Sequence, residues 1–487
     1  MNHRIAAPAP DAVSSAPQRL LVDGEWVAGR GPTLAVYDKF RLTQAASATT
    51  ADRDDVARAV ASAHAAFRAG APAPFERGAV LERAAALVEA RLPEFVRTMQ
   101  VEACFTTSDA TGEIRRCVQT LKLSAEEARR LAGEIVPMAG APNQRGRIGF
   151  TLRVPLGVVV AITPFNSPLN TVAHKIAPAF AAGNAAILKP SSSTPLTAAR
   201  FAEVLIEAGM PRGFLSLVYG GAQVANWLLE DERVRFFAFT GSTEVGRSIQ
   251  RAAGLRRTQM ELGSIACTIV CDDADLGRAL PRIVNAAYRK AGQVCTSIQL
   301  LLVHASILTD VEAQLTERVK ALPCGDPAAP DMVVGPVINE DAAKRIENWI
   351  DEAVARGARR LVGGERSGAV VPPTLLTAID DTMRISCEEV FGPVMCIVPF
   401  ATLDEAIARV NSTPFGLATG IFTNRLDAAF AAARQLEVGG VHVNETSSSR
   451  VDLMPYGGSK DSGFGREGPH YAIREMTEER IVTFATE

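Results

Sequence analysis

The stretch AGQVCTS at residues 291–297 sets Cys295 between a Gly-Gln-Val tripeptide and two hydroxyl residues, ahead of the apolar run IQLLLVH. Read alone, the thiol is either a nucleophile or a small hydrophobe opening a buried strand. Four further polar stretches follow apolar runs in the same manner. In AITPFNSPLN, Asn166 stands between Pro164 and Pro168, where a rigid amide can donate to a developing oxyanion or cap the next helix. AAILKPSSSTP ends on Lys189, suited to nucleotide ribose or phosphate oxygens or else solvated at a strand end. FAFTGSTEVGR passes through Gly241 and Ser242 into a helix, a turn whose free N–H groups favour phosphate. QMELGS ends on Glu261, either an exposed acid or a carboxylate raised by apolar surroundings into the range of a general base. A thiol, an amide donor, a base and a nucleotide cradle are what acyl transfer through a thioester coupled to hydride transfer requires.

The elements that must position these residues alternate. LGVVVAI, AAILK, FLSLVYG and VRFFAFTG are short continuous apolar runs separated by helical segments TVAHKIAPAFAAG, TPLTAARFAEVLIEAG and AQVANWLLED. Such alternation predicts a parallel sheet covered on both faces, with ligands at the carboxyl ends of its strands. A second alternating region runs from ACTIVCDD to GIFTN, giving two α/β units in tandem. Residues 52–135 read as helix: DRDDVARAVASAHAAFRAG has an Asp cap and a terminal Gly, and SAEEARRLAGE carries a capping-box pattern from Ser124 to Glu127.

The chain has 487 residues, 47% hydrophobic and 22% charged, and a formal net charge of −3. That balance excludes the basic surface on which nucleic-acid or anionic-membrane binding depends. Eight cysteines without a CxxC pair form neither a disulfide framework nor a zinc site, so a reducing cytoplasm and no metal are expected. No run approaches the length of a membrane span. The start, MNHRIAAPAPDAVSSAPQ, reads as a loose tail over residues 1–18.

In order, PFNSPL, LKPS, FTGSTEVG, ELGS, GQVCTS, EEVFGPV, NSTPFGLATGIFT and PYGGSKDSGFGREG resemble the aldehyde dehydrogenase superfamily over about residues 150–470. The resemblance implies NAD(P)-dependent oxidation of an aldehyde to its acid, with Cys295 as nucleophile, Asn166 and the Cys295 N–H as oxyanion donors, and Glu261 as the base for thioester hydrolysis. It implies Lys175 and Glu467 as proton-handling residues, with structural salt bridging the favoured reading of each. It places the cofactor against Thr163, Pro164, Phe165, Lys189, Ser192, Gly241, Ser242, Leu262, Glu389 and Phe391, with Glu389 on ribose hydroxyls and Phe391 beside the nicotinamide. The implied fold is a Rossmann-like cofactor unit (19–129 and 150–262), an α/β catalytic unit (263–450) and a small β oligomerisation element (130–149 and 465–487) in a homodimer or homotetramer. A thiol of ordinary pKa near ~8.5 must be ionised by the site or offered a base.

Three departures from that family bear on chemistry. Ser192 stands where strictly NAD-using members often carry a glutamate, so a 2′-phosphate meets no like charge and NADP is slightly favoured over NAD. Ser264 replaces a usual Gly beside the base, and Leu300 replaces a usual Arg. The C-terminal motifs are similar to the lactaldehyde and glyceraldehyde branch, pointing to a small polar aldehyde. Arg450, on VNETSSSRVDLMPYGG, is the candidate substrate ligand, with pairing to Asp452 as the alternative. With Ser at 167 and Val at 294, neither of these pocket positions carries a further basic residue to insist on an anionic tail. A CoA-acylating enzyme and a non-redox thioester hydrolase or binding protein are the alternatives; retention of Glu261 and of the cofactor stretches speaks against each.

Overall fold

The computed structural model describes residues 16–485, which build two large sheets flanked by helices. In the first sheet, Leu215–Leu217, Ala185–Lys189, Val158–Ile162, Val234–Thr240 and Arg257–Glu261 run parallel in that spatial order. Their residues are almost entirely buried, which explains why they read as unbroken apolar runs rather than alternating ones. The sheet is nevertheless mixed. Leu20–Val22 and Glu25–Val27 extend one edge as an antiparallel hairpin, and Gly463–Phe464 closes the other antiparallel to Met260–Glu261. The two-residue turn Asp23-Gly24 has φ of 54° and 74°, the left-handed pair that a tight hairpin demands.

The second sheet runs Arg359–Val362, Thr374–Thr377, Val394–Phe400, Ile298–His304, Ala266–Val270, Ala418–Phe422 and Gly440–Val443, parallel except at its first strand. Each large sheet has its own apolar core. Leu300 is fully buried within Ile298–His304, facing core rather than the cleft described below. A third sheet pairs Thr477–Ala485 along its whole length with Arg147–Pro155, whose far side takes Ile135–Val136. Ile135, Ile148, Leu152, Ile481 and Phe484 stand exposed on it. Thr33–Asp38 and Thr43–Thr49 form a hairpin not anticipated from sequence, and Gln18, assigned to the tail, donates its N–H to the Ser47 carbonyl. Residues 1–15 of the expected tail lie outside the described residues.

The helix Arg53–Ala69 starts at Asp52 in a capping box with Asp55, and Gly70 ends it. The capping box at Ser124 does not exist. Ser124 lies inside the 24-residue helix Thr107–Arg130, and its hydroxyl donates back to the Thr120 carbonyl, so Thr106 is the cap. Among the described residues no helix is long and apolar enough to cross a membrane.

Candidate active site

The carboxyl ends of the first sheet's strands face the second sheet across a cleft of about 1120 Å³. Single-ligand pockets span roughly 300–1,000 Å³, so this one has room for a dinucleotide and a small substrate together. Its walls bring together Thr163, Pro164, Phe165, Asn166, Lys189, Ser192, Gly241, Ser242, Glu261, Leu262, Glu389, Phe391, Arg450 and Cys295. Lys175 and Glu467 sit behind the wall.

Cys295 is half-buried in the turn that precedes Ile298–His304. Its sulfur lies 3.6 Å from Glu261 Oε1 and 3.1 Å from the Tyr456 hydroxyl. Of the two routes expected for the thiol, ionisation by the site or an adjacent base, the surroundings favour the base: burial pushes the thiol well up, the neighbouring Glu261 charge adds to that, and Tyr456 and Arg450 only partly oppose it. The site therefore keeps a thiol and offers it a base. Glu261, 4% exposed at the end of Arg257–Glu261, is raised to about 7 by burial and then by the charge of Glu467. Glu467 is held well below the usual carboxylate range: burial opposes this, but Lys175 Nζ at 2.8 Å and Arg450 Nη2 at 2.8 Å outweigh it.

Asn166 does not cap a helix; the next helix, Asn170–Ala181, follows Leu169. The Asn166 carbonyl accepts from Lys290 Nζ at 3.1 Å, while its side-chain amide and the Cys295 backbone N–H have no protein acceptor among the described residues. Both donors remain available in the cleft.

The dinucleotide end passes a test on unused groups. Lys189 is buried with no carboxylate partner among the described residues, its Nζ reaching only the Pro190 carbonyl at 3.4 Å, and burial lowers it to about 8. A ligand rich in hydroxyl or phosphate oxygens supplies what that ammonium lacks. Ser242 precedes the helix Thr243–Ala253 without making a side-chain cap. The Gly241 N–H is not free as expected, because it donates to the Glu261 carbonyl at 3.1 Å. Glu389 Oε1 accepts from the Ser264 N–H at 2.8 Å, and burial raises its carboxyl to about 7. A Cβ at Gly263 would come within 2.9 Å of Glu389 Oε2 and displace that carboxylate, whereas Ser264 is accommodated. Phe165 and Phe391 meet edge to face at 5.7 Å. Among the described residues no cluster of His, Cys, Asp and Glu could hold a metal ion.

A profile of the aldehyde dehydrogenase family matches residues 26–482. The chain belongs to that family. It is 46% identical over 464 residues to 3-sulfolactaldehyde dehydrogenase of Priestia aryabhattai, covering 95% of this chain and 97% of the relative. The crystal structure of aldehyde dehydrogenase 21 from Physcomitrella patens, in complex with the reaction product succinate, superposes with TM-score 0.94 at 37% identity, over 97% of this chain and 99% of that one. The NADP-dependent glyceraldehyde-3-phosphate dehydrogenase of Bacillus halodurans, complexed with NADP, does so with TM-score 0.94 at 33% identity, over 97% and 100%. The activity class is NAD(P)-dependent oxidation of aldehydes.

In this aldehyde dehydrogenase the basic residues of the cleft stand at positions other than 167 and 294. Arg116, Arg289 and Lys290 line the cleft with Arg450. Lys290 is paired to Glu113 and lies over the Phe105 ring, which holds Lys290 and Ala291 at φ of 52° and 51°. Arg116 is paired to Asp452 at 2.7 Å, as is His174 at 2.8 Å, so Asp452 is not the partner of Arg450. Arg289 has no carboxylate partner among the described residues. Its Nη2 donates to Ser448 Oγ at 2.8 Å, and that hydroxyl meets Thr296 Oγ1 at 3.0 Å, one residue from the nucleophile. The basic pair just ahead of AGQVCTS was the sequence signal for Arg289 and Lys290; Arg116 on a solvent-bordering helix gave none.

Proposed function

We propose that this enzyme oxidises a small aldehyde bearing a carboxylate, sulfonate or phosphate tail to the corresponding acid. The observation that carries the reading is Arg289, a largely buried guanidinium that makes no direct ion pair among the described residues and feels Asp109 only at longer range, set beside Ser448 and Thr296 within reach of Cys295. A desolvated cation with no anion in direct contact is stabilised by an anionic ligand, and a planar guanidinium suits such tails. Its relatives named for sulfolactaldehyde and complexed with succinate handle molecules of this kind.

Chemistry begins when Glu261 takes the Cys295 proton and the sulfur attacks the aldehyde carbon. The Asn166 amide and the Cys295 N–H hold the resulting oxyanion; losing one such donor typically slows reaction ~10²–10³-fold. Lys189, Ser192, Ser242, Glu389 and Phe391 would hold the dinucleotide, which when bound supplies the hydride acceptor. The acyl group is left on sulfur as a thioester, and Glu261 takes a proton from the water that hydrolyses it. Glu467, fixed by Lys175 and Arg450, keeps the Glu261 carboxyl poised near neutrality. The neutral Ser192 hydroxyl, which donates to the Gly220 carbonyl, and the unneutralised Lys189 support acceptance of NADP, slightly ahead of NAD. Eight unpaired cysteines support a reducing, cytoplasmic setting, and the exposed apolar sheet ending at Thr477–Ala485 supports homo-oligomerisation, with residues 19–129 and 150–262, 263–450, and 130–149 and 465–487 as the cofactor, catalytic and assembly units.

Steady-state assays with NAD and NADP, without CoA, test the reading on anionic aldehydes and neutral ones of equal length. The anionic set should show at least ~10-fold higher kcat/KM, a ratio that Arg289→Met removes, in line with about 1.5–3 kcal/mol for a hydrogen bond to a charged group. Equal efficiency on both sets, or an unchanged ratio in Arg289→Met, overturns it.

A further inference from the structure

Tyr456 has a hydroxyl with a single partner among the described residues, the Cys295 sulfur at 3.1 Å. The phenol is 5% exposed and fixed from three sides. Its backbone N–H and carbonyl pair with Glu467, at 3.1 Å and 2.7 Å. The Arg450 guanidinium carbon lies 3.7 Å from its ring centroid, and Arg450 is itself tied to Glu467. The cation over the ring draws electron density from it and makes its O–H a stronger donor. Glu261 approaches the same sulfur from 3.6 Å, so the two oxygen groups have separable tasks: the carboxylate accepts a proton, the phenol is able to donate.

We propose that Tyr456 is a catalytic residue whose hydroxyl donates a hydrogen bond to the Cys295 thiolate and holds it in the attacking position. This rests on Cys295 being the nucleophile of the proposed reaction. When the S–H bond breaks, its proton goes to Glu261 and its electron pair stays on sulfur, and the Tyr456 hydroxyl donates its O–H to the anion. When sulfur then bonds to the carbonyl carbon, that pair becomes the S–C bond and the phenol loses its charged acceptor. Tyr456 therefore raises the thiolate fraction while lowering the reactivity of each thiolate, because nucleophilicity falls with thiol pKa. Burial and the Glu261 charge push the thiol up, and the Tyr456 hydrogen bond acts in the opposite sense, as this role needs.

The test is the pH dependence of Cys295 alkylation by iodoacetamide in Tyr456→Phe, with Cys295→Ala as background and intact mass to count the label. Phe keeps the ring, its contact with Arg450 and the backbone pairing; quenching of protein fluorescence by added dinucleotide confirms that the variant is folded. The expected profile has its inflection about one pH unit higher and alkylation about tenfold slower at neutral pH, with the variant matching or exceeding the parent above the inflection. A superimposable profile, or uniform slowing at every pH, overturns the proposal. Alkylation needs no aldehyde, so the two readings fail separately. A shifted profile in a protein that oxidises none of the aldehydes sinks only the proposed function, and an unshifted profile in an active one sinks only Tyr456.

Discussion

Replacing Glu261 by Gln should make the protein more stable and less active at once. Glu261 is buried and raised from 4.5 to about 7, a gap of about 2.5 units, or about 3 kcal/mol at 1.36 kcal/mol per unit. Its folded pKa lies above its unfolded one. Below pH 4.5 the group is protonated in both states and takes nothing from stability. Between 4.5 and 7 the unfolded chain ionises first and stability falls; above 7 the whole penalty is in place. Gln stays neutral throughout, and its amide oxygen can still accept from Thr240 Oγ1, which now donates to Glu261 at 3.2 Å. Thermal unfolding of both proteins at pH 5 and pH 8 should show a variant advantage that is small at the lower pH and grows at the higher. In rapid mixing with aldehyde and dinucleotide, the variant should give at most one reduced cofactor per subunit and then turn over slowly. A variant less stable than its parent at pH 8, or with a pH-independent difference, would refute the desolvation argument, and full steady-state turnover would refute the assignment of the base.

Ser192→Glu introduces a carboxylate in the cleft wall near Lys189, and should cut kcat/KM for NADP by about tenfold or more while sparing NAD; equal losses for both would remove Ser192 from cofactor choice. Ile481→Glu paired with Phe484→Glu charges the exposed face of the third sheet and should shift the sedimentation coefficient toward that of a monomer, with unchanged sedimentation arguing that this face is not the assembly surface.

The groups legible in the sequence share one physical trait. Asn166, Lys189 and Cys295 each mark a break between a continuous apolar run and a Gly, Pro or hydroxyl-rich turn, and Glu261 ends the more polar strand RTQME ahead of Gly263; such breaks fall at the strand ends lining the cleft. Arg116 was not legible because an arginine on an amphipathic helix looks solvated, and its partner Asp452 is 336 residues away in the chain. Tyr456 lay inside a quoted motif yet carried no signal of its own, since only folding brings its hydroxyl to Cys295. The hairpin Thr33–Thr49 escaped because its second strand, TQAASAT, has small residues and no apolar alternation. Ser124 misled for the opposite reason: a Ser followed three residues later by Glu also arises within a helix, where the hydroxyl back-bonds to a carbonyl.

Lys175 is wholly enclosed and answers to a single anion, Glu467, 292 residues further along the chain. Until residue 467 has been synthesised, the helix carrying that ammonium is complete but its counter-charge is missing. Every fragment ending short of residue 467 leaves that buried lysine without its carboxylate, and neutralising or exposing it becomes part of such a fragment's folding.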